Sequence, residues 1–150
     1  LAGNFSHTGN GDNQRLIGSL PHFTRFVGDA NTARVLQWNV PDPIANPSSF
    51  GQLEIATTGA GGVGLASNQT ASRFVAGHLL IRSGALLSAP QFGPRFTFQL
   101  GGTIGFGLIV ETGGTFDSSF LASLSVLNDD GTCGLLLGLL RGQLSCLTVR

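Results

Sequence analysis

Lysine, tyrosine and methionine are absent from the 150-residue sequence, and all eight basic residues are arginine. Charge of either sign is scarce, 11% of residues, under half the usual share of about 25%. The arginines (Arg15, Arg25, Arg34, Arg73, Arg82, Arg95, Arg141 and Arg150) include no adjacent pair. A nucleic-acid surface needs clustered positive charge, so nucleic acid is not an expected partner. Eight acids balance the eight bases, and low charge at zero net charge favours association. No apolar run reaches the length of a membrane-spanning helix. The richest stretch, Phe74 to Ala89, is broken by His78 and Arg82, so membrane insertion is not expected. The two cysteines, Cys133 and Cys146, lack the C-x-x-C spacing of redox and zinc sites.

Glycine is plentiful instead. Twenty-three Gly and six Pro punctuate short runs of Val, Ile, Phe, Thr and Leu, which is a pattern of many strands joined by turns. Windows with helical period are missing. Strands are predicted near 15–20, 22–27, 34–40, 50–57, 73–82, 95–100, 103–111, 116–127, 133–139 and 143–149. Two alternate cleanly: Leu36, Trp38 and Val40 oppose Gln37 and Asn39, and Phe96, Phe98 and Leu100 oppose Arg95, Thr97 and Gln99. No repeat of fixed period stands out. The sequence therefore predicts an all-β domain, an antiparallel β-sandwich or jelly roll of about nine or ten short strands, over residues 15–150. Residues 1–14 read as a polar arm or loop.

Motifs that carry chemistry fail on context. Gly59-Ala60-Gly61-Gly62-Val63-Gly64 matches the dinucleotide fingerprint, but no amphipathic helix follows it. No acid lies about 20 residues on, so a flexible loop is expected and no cofactor. His7, His22 and His78 sit in no catalytic or metal-binding motif, and no serine lies in a nucleophile elbow. His78 shares an expected strand face with Phe74, Ala76 and Leu80. Glu54 and Glu111 both fall in expected strands, and an acid–base pair would require them to face each other across a cleft. Asn128-Asp129-Asp130-Gly131 lacks the other ligands of a calcium loop and reads as a hairpin turn. Cys133 and Cys146 fall opposite each other if a hairpin turns at Leu139–Leu140, which allows a cross-strand disulfide. Asn4-Phe5-Ser6 and Asn68-Gln69-Thr70 are glycosylation sequons.

These readings point to a non-enzymatic structural or assembly domain of a virion surface, spike or other extracellular particle. It would associate through sheet faces with copies of itself, as a trimer for example, or with other particle proteins. Gly105 and Gly107, on one face of the strand at 103–111, are the candidate assembly face, because glycine in a strand allows close approach of another backbone. The alternative is a secreted, lectin-like sandwich that binds glycan through loops bearing Asn10, Asp12, Asn13, Asn128, Asp129 and Asp130. Trp38, the only Trp, lies on an expected core face, which disfavours it as an aromatic sugar platform.

Overall fold

The structure, a computed structural model, describes residues 1–8, 16–18, 22–29, 31–42, 48–88, 95–101 and 107–126, together with the backbone of 135–137 and 140–141. The strands are β1 (Phe5–Thr8), β2 (Phe23–Asp29), β3 (Arg34–Asn39), β4 (Phe50–Thr58), β5 (Val63–Ala66) and β6 (Ser72–Leu87). They continue with β7 (Phe96–Leu100), β8 (Leu108–Val110), β9 (Gly114–Asp117), β10 (Leu121–Val126), β11 (Leu135–Leu137) and β12 (Leu140–Arg141). Every pairing between these strands is parallel. The chain is thus a parallel β-solenoid of about three turns, not the antiparallel sandwich or jelly roll that the sequence predicts. Without a jelly roll, the capsid and virion reading loses its structural basis.

β6 shows how the coil is built. Its start, Ser72–Ala76, pairs with β7 on a first face. Its middle, Leu79–Ile81, pairs with β8 on a second face, and its end, Gly84–Leu87, pairs with β9 on a third. The first face continues to β10, and the second stacks β2, β4, β6, β8 and β11. The third stacks β1, β3, β5, β6, β9 and β12. From β3 to β9 the chain passes around all three faces about three times. Parallel neighbours cannot be joined by a tight hairpin. Here the crossover is the rest of the turn, running over the other two faces.

In-register stacking turns the apolar half of each strand into columns. Phe26, Ile55, Ile81 and Val110 form one, Leu53, Leu79 and Leu108 another, and Val63, Leu86 and Phe116 a third; all are buried. The apolar halves of both alternations read from the sequence are buried (Leu36, Trp38, Val40, Phe96, Phe98 and Leu100), but Asn39, expected on the polar half, is buried as well and donates to Thr8 Oγ1 at 3.0 Å. Aromatics chain through the interior. Trp38 stacks on Phe50 at 4.9 Å, and Phe74 stacks on its register partner Phe98 at 4.6 Å, near one strand spacing. Each such pair adds about 0.5–1.5 kcal/mol beyond the area it buries. The Trp38 indole N–H, buried with the ring, donates to the Arg73 carbonyl at 2.7 Å.

Corners need glycine where the backbone reverses beside the turn below. Gly84, at the bend between the second and third faces, has φ of +76°, and a Cβ there would lie 2.8 Å from the Thr57 carbonyl oxygen. Gly59 and Gly62, within the fingerprint-like stretch, have positive φ too, so that stretch serves as the matching corner between β4 and β5. The other corner within β6 inverts its alternation: Ala76 and Leu79 are both buried, which puts His78 in register with Gln52 rather than on the core side with Phe74. Phe5–Thr8, inside the stretch expected as an arm, forms β1. β10 pairs with β7 and β11 with β8, and the expected Asp130-Gly131 hairpin between them lies outside the described residues.

Gly84→Ala should cost about 2–4 kcal/mol in urea unfolding, from a left-handed backbone and a backbone clash. Gly101→Ala, where a Cβ meets nothing within 4 Å, should change stability by less than about 0.5 kcal/mol.

Candidate functional site

Among the described residues, three polar groupings bear on chemistry. The largest is a charged column on the second face. Arg25 and Glu54 are register partners on β2 and β4, and Arg25 Nη2 donates to Glu54 Oε2 at 3.0 Å. On β6 the pairing runs Ile55 with Ile81 and then Ala56 with Ser83, leaving Arg82 as the extra residue of a bulge. A bulge re-aims its side chain. Arg82 Nε reaches Glu54 Oε1 at 2.8 Å, and Arg82 Nη1 reaches Glu111 Oε1 at 3.3 Å. The column therefore reads Arg25, Glu54, Arg82, Glu111, with its signs alternating from turn to turn. Glu54 is only 2% exposed although it points away from the core, whereas Arg25 and Arg82 are about half exposed. Two guanidinium groups thus roof one carboxylate and use both of its oxygens.

On the first face Asp42 receives Arg73 Nε and Nη2 at 3.1 and 2.9 Å, and Thr97 Oγ1 donates to its other oxygen at 2.5 Å. Arg73 and Thr97 are register partners, so one carboxylate at a corner ties two turns together.

The third group is a serine–histidine pair. His7 Nε2 lies 2.8 Å from Ser48 Oγ, and the Leu16 N–H donates to the same hydroxyl at 3.1 Å. The His7 ring packs 4.9 Å from Trp38, and burial lowers its pKa below the ordinary value of about 6.5. A nucleophile needs access and an oriented base. Ser48 is 1% exposed, and among the described residues no carboxylate bonds the other His7 nitrogen. The pair fastens β1 and the Leu16 segment onto the second turn.

A cavity of about 370 Å³ among the first strands is lined by Leu1, Phe5, Leu16, His22, Arg25 and Phe50. None of the three polar groups above converges in it as a set.

Several residues singled out from the sequence, Asn10, Asp12, Asn13, Gly105, Asn128, Asp129, Asp130, Cys133 and Cys146, lie outside the described residues. Gly107 is buried, and its carbonyl accepts the Leu79 N–H at 2.9 Å, so it packs on β6 of its own chain. Glu54 and Glu111 do come together, as two acids sharing Arg82 rather than as a pair across a cleft. Sequence reasoning missed Arg25 and Arg82 as their partners. The signal was present: positions 25, 54, 82 and 111 alternate in charge at intervals of 28 or 29 residues. Among the described residues no group of three or more His, Cys, Asp or Glu could hold a metal ion.

Removing both cations, Arg25→Ala with Arg82→Ala, strands a buried carboxylate and should cost about 3–5 kcal/mol in urea unfolding. Glu54→Gln leaves two half-exposed cations that water can solvate, and should cost less than half of that. The His7 pKa is lowered on folding, so the unfolded chain binds the extra proton. The His7 contribution is therefore intact above about pH 6.5 and is lost as pH falls below it. Urea midpoints measured from pH 8 to pH 5 should show wild type losing stability relative to His7→Gln, with the gap opening below about pH 6.5. Compared with known proteins, the chain matches no family model, no curated protein and no solved structure. Its functional reading rests on this geometry.

Proposed function

We propose that the chain is a non-enzymatic structural module, a stiff β-solenoid element of an extracellular or surface assembly that associates with copies of itself. The observation that carries this reading is the charged column. In a chain with so few charges, four are spent on one another, turn upon turn along the axis of the coil, rather than converging on a cleft. The buried Glu54 carboxylate, held by two half-exposed guanidinium groups, supports a role in fixing the register of successive turns. The serine–histidine pair and the Asp42 cluster likewise join one segment of the coil to the next. Low charge at zero net charge favours association over dispersal.

A second reading, glycan binding, draws on the outer surface of the second face. Phe23 is 44% exposed there with the Arg25 guanidinium 4.9 Å from its ring centre, and Gln52 and His78 follow it in register on the next two turns. Size-exclusion chromatography with light scattering separates the two. Self-association predicts a mass above 15.5 kDa that rises with concentration. A monomer at every concentration that binds a glycan array would overturn the structural reading in favour of the second.

A further inference from the structure

We propose that the outward surface of the second face docks on the same surface of a second copy, turned end for end so that the two charged columns run antiparallel. This rests on the self-association reading and says which face carries it and why it stops at two chains.

The surface lies on β2, β4, β6 and β8, so neither end of the coil enters it. Phe26, Ile55, Ile81 and Val110 are buried, and the charged residues beside them, Arg25, Glu54, Arg82 and Glu111, point outward. Three of the four keep exposed surface: the side chains of Arg25, Arg82 and Glu111 are 45%, 50% and 42% exposed. The column alternates in sign and sums to zero, so it carries no net charge that would repel a copy. Two apolar residues flank its midpoint. Ala56 stands two residues beyond Glu54 on β4, and Leu80 two residues before Arg82 on β6; both are half-buried.

Charge decides the orientation. Identical surfaces meeting face to face are related by a twofold axis in the plane of contact. With the axis along the column, each charge meets its own copy, Arg25 on Arg25, which repels. With the axis across the column at its midpoint, the order reverses: Arg25 faces Glu111 of the partner, and Glu54 faces Arg82. Glu54 is roofed by its own two arginines, so the new ion pairs are Arg25 with Glu111, one at each end of the contact. A residue on a twofold axis meets its own copy. Ala56 and Leu80 flank that midpoint, and neither carries a charge. Apolar contact at the centre with ion pairs at the rim is the usual anatomy of an interface. Packed sheets lie about 10 Å apart, a gap that an arginine and a glutamate span together. The contact is isologous and closes on itself, so association stops at two chains. The patch is smaller than a standard interface of about 20–30 residues a side, so the pair forms only at high concentration.

Sedimentation velocity on the full chain, with wild type, Glu111→Arg and Arg25→Glu, tests this, and circular dichroism with the thermal midpoint checks that each variant keeps the fold. Wild type should rise with concentration to a plateau at two chains of 15.5 kDa. Each variant alone sets like charges against each other at both ends of the contact and should pair at least about tenfold more weakly. Mixed one to one, the two variants supply opposite charges at both ends, and pairing should return. If Arg25→Glu does not fold, Glu111→Gln takes its place. Both Glu111 variants lose the Arg82 contact, but only reversal repels the partner, so Glu111→Arg should pair more weakly than Glu111→Gln. Variants that pair as strongly as wild type, a mixture no tighter than its components, or equal weakening by Glu111→Arg and Glu111→Gln would overturn this docking surface while leaving self-association standing. Masses that climb past two chains without a plateau would overturn the closed pair. A wild type that stays monomeric at all concentrations would remove self-association itself.

Discussion

Each turn of this coil completes the backbone hydrogen bonds of the turns above and below it, and it can do so only when strands stack parallel and in register. Within one turn no strand has a partner, so a single turn has neither a sheet nor a closed core. Stability belongs to neighbouring turns jointly, as in other repeat architectures. The side chains follow from that constraint. In-register stacking places Phe98 over Phe74 and Ile81 over Ile55, so the interior is a set of columns whose members must fit one another along the axis. The glycine corners follow too, because a backbone that bends directly above another bend leaves no room for a side chain, as at Gly84 above Thr57.

The same geometry that stacks apolar groups inside stacks charges outside. Like charges one strand spacing apart would repel at about 5 Å, and alternation removes that penalty. Glu54 takes the most demanding position, buried under two arginines, and the bulge that delivers Arg82 to it is a departure from regular pairing with a defined effect. The column favours one register over a slip by a residue, since such a slip would carry Glu54 to the core side and its neighbours Leu53 and Ile55 outward. It thus ties the stiffness proposed for the module to a particular set of residues.

Much of the local structure was legible in the sequence. Alternation marked Leu36, Trp38 and Val40, and Phe96, Phe98 and Leu100, as inward-facing, because period-two burial is a property of one strand by itself. Partner and direction were not legible from the same signal. Glycine and Asp-Gly turns are the ordinary marks of hairpins, and that inference produced an antiparallel sandwich; here the glycines turn corners of a coil. Turn length varies, from 23 residues between Val63 and Leu86 to 31 between Phe5 and Leu36, which blurs any fixed apolar repeat. The charged positions 25, 54, 82 and 111 keep an interval of 28 or 29 residues because the bulge in β6 lets Arg82 reach Glu54, whose register partner is Leu80. The Ser48–His7 contact had no sequence signal, because it joins residues 41 apart through β1.

A stack of turns bound by outward charge and inward aromatics depends on parallel register above all. That register is tested most directly by nuclear Overhauser contacts in a uniformly labelled chain. The account predicts cross-peaks from Ile55 to Ile81, from Ile81 to Val110 and between the rings of Phe74 and Phe98, each linking successive turns. Antiparallel contacts between β10 and β11, the strands consecutive in sequence, in place of these would contradict it.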